Sequence, residues 1–377
     1  MPRTGIANLP LHPGRCPKWL FGRMRKLGGA ISEIIIDEYG RDEYLRRLAD
    51  PFFFQSLGCV LGFDWHSSGL TTTVCGALKE AVNELNCGVA IAGGKGKASM
   101  RTLAEIDELA DDAGLNLSTH RVEKLKYASR MAAKVDNSLV QDNYQLYHHS
   151  FIVSKHAWAV VQQGMNSQNS YARRYHWISD AVRSFVDEPH AAICCDAKGQ
   201  QVLDMTAHSS EESRKTSLDI VNDNPSHIEG YLKISARPEQ TSLYDFVNGD
   251  FPSQEPAILS LCKNHRLRLS KRSMNALKQA YEVQPESYEE LTSLKGIGAG
   301  SIRALALISE LVYGTEASWN DPAKFSFAHG GKDGIPYPVD KKRMDDNTAL
   351  LKDAVRNARL GNKERLDALR RLALTTL

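Results

Sequence analysis

No stretch of about 18 consecutive apolar residues occurs in this sequence, so a membrane-spanning helix is not expected. No N-terminal apolar segment of the signal-peptide kind is present either. The expectation is a cytoplasmic protein with no membrane partner. Charge of one sign is equally scarce, since the formal net charge is +2 on 377 residues. Overall charge therefore announces no polyanionic partner, and any basic surface has to be local. Cysteine is sparse and scattered. Cys16, Cys59, Cys75, Cys87, Cys194, Cys195 and Cys262 include no C-x-x-C pair. That excludes a zinc ribbon or a disulfide framework and predicts reduced, mostly buried thiols. Internal repeats and low-complexity tracts are missing too. No cofactor, and no protein partner, is indicated.

What is there reads as an α/β N-terminal domain over residues 1–215, a connector over 216–258, and a helical domain over 259–377. Apolar spacing predicts helices over Trp19–Ile36, over the charged stretch 41–49 and over Leu70–Glu84. Asp50 opens a buried anchor, DPFFFQ. Gly88–Ala92 reads as a strand, 93–99 (GGKGKAS) as a loop, and Leu103–Ala110 as the start of a helix, a strand–loop–helix unit. Further strands are expected over His149–Val153, Trp158–Gln163 and Ala191–Cys195, with a helix over 171–186. The prolines at 225, 238, 252 and 256 mark the connector.

The most informative stretch is Leu294-Lys295-Gly296-Ile297-Gly298-Ala299-Gly300-Ser301. It joins the end of one helix to another that continues through Ile302, Leu305, Ile308 and Val312 at three-to-four spacing. Gly296 and Gly298 permit a tight turn, and Ile297 between them can plug the gap between the helices. Backbone N–H groups and the helix dipole at the start of the second helix then favour an anion such as a phosphate oxygen. A plain helix–turn–helix connection with a glycine cap is the alternative. The segment resembles the helix-hairpin-helix of DNA ligases, polymerases and base-excision glycosylases. The resemblance implies a DNA partner gripped by its backbone, without sequence preference. Lys263–Lys278 supports it with Lys263, Arg266, Arg268, Lys271, Arg272 and Lys278 and no acidic residue. In helix-hairpin-helix glycosylases a catalytic aspartate in a V-D segment follows the hairpin. Pro338-Val339-Asp340 is similar, which implies that Asp340 stabilises a cationic sugar or activates water once a base is flipped out. Gly300 stands where bifunctional members carry a lysine, so no lyase step is implied. A helix N-cap is the other use of Asp340.

Chemistry-bearing residues also gather in the first domain. His148-His149-Ser150 and Gln162-Gln163-Gly164-Met165-Asn166 lie at the ends of two expected strands. The histidine segment is distantly similar to phospholipase-D-type nucleases, in which His149 would attack phosphate, although Phe151 occupies the lysine position. Gln163, Asn166, Tyr175 and Trp177 are candidates for a pocket that stacks and reads an extruded base. Lys95 and Lys97, in a glycine loop that does not satisfy the Walker A pattern, suit a phosphate. Asp64 and His66 form a possible carboxylate–histidine pair, and no metal can be specified.

Three readings follow: a base-excision-type DNA glycosylase, a metal-dependent structure-selective nuclease, or a non-catalytic DNA-binding module. Taken whole, the motifs TGIANLPLH, DWHSSG, GGKGKAS, YHHSFIV, WAVVQQGMN, ARRYHW and HGGKDGIPYPVD resemble the family catalogued as domain of unknown function 763, which implies no settled mechanism.

Overall fold

The computed structural model describes residues 16–63, 67–111, 114–195, 198–199, 201–224, 227–228, 269–323, 341–357, 366 and 368–370. The chain divides into two compact units. One draws on Met1–Asn137, Gln141–Val202 and Asn320–Leu377, the other on Ser138–Val140 and Leu203–Trp319. The units are therefore not consecutive along the chain.

The first unit opens with α1 (Lys18–Tyr39), α2 (Arg41–Ala49), α3 (Pro51–Val60) and α4 (Gly69–Leu85). Gly40, at φ +89°, breaks the chain between α1 and α2. Asp50 caps α3 by accepting from Phe52 N at 2.8 Å and Phe53 N at 3.2 Å, with Pro51 at the first helical position. Every residue of α3 is buried, as the DPFFFQ anchor predicts. Then come β1 (Val89–Lys95), a 3₁₀ turn (Gly96–Arg101), α5 (Thr102–Asp111), α6 (Thr119–Ser138) and β2 (Val140–Gln141). Strands β3 (Gln145–Ser154), β4 (Trp158–Asn166), β5 (Tyr171–Ile178) and β6 (Ala192–Cys194) complete the sheet, in the order β1-β3-β4-β5-β6. All its neighbours are antiparallel.

The protein is thus mixed helix and sheet. Its strand–glycine–helix stretch leads to an antiparallel neighbour, not to a parallel crossover. Two expectations are corrected here. Residues 171–178 are strand, not helix, and the glycine stretch is not a loop, because β1 runs through Gly93 and Gly94 to Lys95. Gly93 adopts φ +90°, and a Cβ there would lie 2.2 Å from the His149 carbonyl oxygen. The glycine is needed for close strand approach. The open edge of β1 is covered by side chains. Asn83 exchanges two hydrogen bonds with Ile91, and Glu105 accepts from Gly93 N at 2.7 Å.

The largest apolar core joins α1–α4 to one sheet face through residues such as Ile31, Phe53, Leu78, Ile91, Ile152 and Val161. Leu351 and Val355 of a later helix, Lys341–Asn357, join the same core.

The second unit contains β7 (Leu203–Asp204), α7 (Glu211–Asn222), α8 (Lys271–Val283), α9 (Tyr288–Ser293) and α10 (Ala299–Tyr313); the helix Lys341–Asn357 is α11. Helix α7 occupies the start of the expected connector. Ser217 of α7 meets Ser309 of α10 at 3.2 Å. Among the described residues, no helix is long and apolar enough to cross a membrane.

Candidate functional site

Strand alternation sorts the histidine and glutamine pairs onto opposite faces of the sheet. His149, Gln162, Tyr175 and Ile193 are successive cross-strand partners. On their face a continuous hydrogen-bond chain runs inward. Ser129 of α6 meets His149 Nε2 at 2.9 Å, and His149 Nδ1 meets Gln162 Oε1 at 2.7 Å. An amide oxygen only accepts, so Nδ1 carries the proton and Nε2 accepts from the serine. Gln162 Nε2 then donates to Asp136 Oδ2 at 2.5 Å. Asp136 also accepts from Trp177 Nε1 at 3.1 Å and pairs with His190 Nε2 at 2.5 Å. Burial lowers the His149 pKa, against the bond to Gln162 and the charge of Asp136, so the ring is neutral. The sequence candidate for a phosphate nucleophile therefore sits enclosed, with both nitrogens engaged.

Beside this chain, Arg173 bridges two buried carboxylates. It reaches Asp142 at 2.9 Å and grips Asp321 with two bonds of 3.0 and 2.7 Å. Tyr175 donates its hydroxyl to Asp142 at 2.6 Å. Burial works against the guanidinium charge, but the carboxylates outweigh it and hold the Arg173 pKa well above its usual value. Asp321 also accepts from Gly199 N and Ala323 N. It thus ties three segments together, a role its place in Asn320-Asp321-Pro322 does not disclose.

The opposite face carries Lys95, His148, Gln163, Arg174 and Cys194 as one row across all five strands. Gln163 Nε2 donates to Ser68 O at 2.8 Å and to the Tyr147 hydroxyl. Arg174 donates to Gln55 Oε1 at 2.9 Å and lies 4.7 Å over the Phe54 ring. Burial lowers its pKa to about 10 against nearby cysteine sulfurs. His148 is pushed down to about 3 by burial, with His149 and Lys95 adding to the effect. His148 Nδ1 and Gln163 Oε1, both buried in this row, have no hydrogen-bond partner among the described residues.

The expected base pocket is not brought together. Tyr175 and Trp177 are fully buried on the Asp136 face, while Gln163 lies on the other. Asn166 caps a turn, accepting from Gln168 N and Asn169 N. Lys95 and Lys97 are exposed, but the amide of Gly93 is taken by Glu105, so no free-amide cradle starts there. Asp64, His66, Arg266, Arg268 and Asp340 lie outside the described residues. Among the described residues, no group of three or more His, Cys, Asp or Glu side chains is placed to hold a metal. Sequence reading did not connect Ser129, which bonds His149, or Asp136, which bonds Gln162, to this chain. Their signal is a helical stripe through Val122, Leu125, Ser129, Ala132 and Asp136, all buried.

In the second unit a glycine turn joins α9 to α10, with positive φ at Gly296 but, against expectation, extended backbone at Gly298. Ser287 caps α9 by accepting from Glu290 N at 3.1 Å, and Glu290 reaches back to Glu286 N at 2.9 Å. Gly296 has φ +92°, and a Cβ there would lie 2.9 Å from Ala276 Cβ of α8. Ile297 is buried. Gly298 precedes α10 in extended conformation and its carbonyl accepts from Ile302 N at 3.0 Å. A Cβ on Gly298 would meet nothing within 4 Å, and one on Gly300 only Ser273 Oγ, at 3.7 Å. Open space therefore lies where side chains would stand at Gly298 and Gly300. Lys295 is exposed, and Ser301 is buried. Lys271 and Arg272, both exposed, fill the first two positions of α8. Ser270 caps that helix, and residues 263–268 of the basic stretch lie outside the described residues.

Fold and site define a mixed α and β protein with an antiparallel sheet, a polar layer on each sheet face, and a separate glycine turn between two helices. The chain belongs to the family described as "Protein of unknown function (DUF763)", whose profile matches residues 5–339. Neither the curated proteins nor the solved structures hold a match.

Proposed function

We propose that the protein binds duplex DNA by its phosphate backbone, through the glycine turn that opens α10. The observation that carries this reading is the open space at Gly298 and Gly300, which lets a phosphate approach the start of α10 beside Ser273 of α8. The first N–H groups of a helix have no acceptor within the helix and carry its positive dipole end. Lys271 and Arg272 strengthen the reading. Cations at a helix N-terminus oppose the dipole, so they do nothing for α8 itself, whereas a phosphate alongside offsets both. Such contacts are indifferent to sequence. The specific form of the reading is a base-excision-type glycosylase. It rests on Asp340, so the described geometry supports the binding step alone.

The test is fluorescence anisotropy on labelled duplexes of several sequences. Gly298→Val with Gly300→Val fills open space, and the extended backbone of Gly298 accepts any residue. Affinity should fall by about 10- to 100-fold on every duplex, the size of lost charge-assisted hydrogen bonds. Lys271→Gln with Arg272→Gln should flatten the log–log salt dependence by about 0.9 per lost phosphate contact. Full affinity in the first variant with an unchanged slope in the second removes the reading. Gly296 is a poor probe, because its substitution collides with Ala276. Release of alkali-labile sites from damaged duplexes separates glycosylase from binding module.

A further inference from the structure

Helix α1 contains Gly22, Gly28 and Gly29, and the fold explains the last two. A Cβ on Gly28 would stand 3.1 Å from Leu78, and one on Gly29 would stand 3.2 Å from Ala81, so both admit the close approach of α4. Gly22 has no such neighbour. A Cβ there would meet nothing within 4 Å, and its φ is not positive. A glycine inside a helix is less stable than alanine, so neither packing nor backbone geometry asks for it. Gly22 is exposed and lies three residues after Trp19, on the same face of the helix.

Trp19 is 64% exposed, whereas Leu20 and Phe21 beside it pack against the core. The guanidinium carbon of Arg23 lies 5.4 Å over the Trp19 ring. Helix side chains lean back over the preceding turn, so a side chain at position 22 would crowd the indole. Glycine keeps that approach clear. Lys18 and Arg23 are exposed, and neither meets a carboxylate among the described residues. Lys26, one turn after Arg23, is exposed as well. Arg25 is different, because Glu84 of α4 holds it at 3.0 Å. No acidic residue occurs from Cys16 through Ser32, whereas a solvated face usually mixes signs. An open indole set among cations is the chemistry that stacks an unpaired base and holds the phosphates beside it.

We propose that the first turns of α1 bind single-stranded nucleic acid, with one base stacked on Trp19 over Gly22 and the adjoining phosphates on Lys18 and Arg23. A duplex keeps its bases stacked inside, so the occupant is a single strand. A membrane surface also attracts tryptophan and cations, but it takes up the apolar side of a helix. That side of α1 is buried in the core through Met24, Leu27, Ile31 and Ile35. The site lies wholly within the first unit and does not rest on the glycine turn that opens α10.

Fluorescence anisotropy of a labelled oligo-dT of about a dozen nucleotides tests this, with a duplex of equal length and phosphatidylserine vesicles alongside. Trp19→Ala should weaken oligo-dT binding by about tenfold, the effect of one lost stacked base, and leave duplex affinity unchanged. Lys18→Gln with Arg23→Gln should flatten the log–log salt dependence by about 0.7 per lost phosphate contact on a single strand. Gly22→Met places a better helix former beside the indole. Thermal stability should hold or rise while strand affinity falls, a pairing that a merely structural glycine would not show. Oligo-dT affinity that ignores Trp19→Ala overturns the proposal. If that variant instead loses only stability, the ring is covered by this chain's own residues, and if it loses only vesicle binding, the face is a membrane surface. Duplex binding without oligo-dT binding overturns it too, and leaves the glycine-turn reading standing.

Discussion

His148 and His149 are neighbours on one strand, yet their surroundings differ in kind. On the His149 face the polar groups of one hydrogen-bond chain each have a complement. The serine, imidazole, amide, carboxylate, indole and second imidazole form one closed chain from Ser129 to His190. On the His148 face, one sheet thickness away, His148 Nδ1, Gln163 Oε1 and both ring nitrogens of His176 have no hydrogen-bond partner among the described residues. Both rings are buried and neutral. Burial or a shifted pKa therefore does not tell the two histidines apart. The account of donors and acceptors does, because a saturated network specifies packing while idle buried atoms add nothing to it.

The largest effect should come from breaking the saturated side at its hub. Asp136→Ala removes the acceptor of Gln162, Trp177 and His190 in a fully buried position. We expect a loss of about 3–5 kcal/mol, the cost of stranding partners of a buried charged group. Denaturant unfolding followed by tryptophan fluorescence measures it. A loss below about 1 kcal/mol would mean that water fills the gap and the chain is not a structural unit.

Acid comes next, and it acts on both faces. His148, His149 and His176 all have folded pKa values lowered by burial. Their unfolded value is about 6.5. Below that pH the unfolded chain takes up protons that the native state refuses. Stability is then complete above about pH 6.5 and falls as the pH drops. Each histidine adds a slope of about 1.4 kcal/mol per pH unit until its folded pKa is reached. Unfolding free energies between pH 7 and 5 should show it, and a flat profile would place these rings in contact with water.

Particular residues show how much of this was legible. Helices α1, α2 and α4 stand out because their buried stripes are apolar at helical spacing. The glycine turn stands out because positive φ and a buried plug demand Gly296 and Ile297. Strand β5 was misread because Arg173 and Arg174 are both buried, one on each face, so no alternation of apolar and polar residues survives. Helix α6 escaped notice because Ser129 and Asp136 interrupt its buried stripe, and those interruptions bond His149 and Gln162 respectively. The GGKGK stretch has the composition of a loop, but Gly93 is in the sheet because the backbone of β3 passes too close for a side chain. At the site, residue types pointed to the right strands. Face, which depends on register, decided which histidine and which glutamine belong together.

The smallest effect is the one that addresses the comparison most directly. His149→Leu takes the donor from Gln162 Oε1 and the acceptor from Ser129, leaving both buried groups short. His148→Leu removes an imidazole that already has one idle nitrogen, and it leaves only Ser150 short. The two substitutions delete the same atoms from adjacent positions of one strand, so propensity and apolar transfer nearly cancel in the difference. We expect His149→Leu to be less stable than His148→Leu by about 1–3 kcal/mol in the ligand-free protein, the cost of the newly stranded groups. His148→Leu should also leave a shallower acid slope, since one proton-refusing ring is gone. Equal losses from the two variants would mean that the opposite faces are equally satisfied, and the contrast between them would fail.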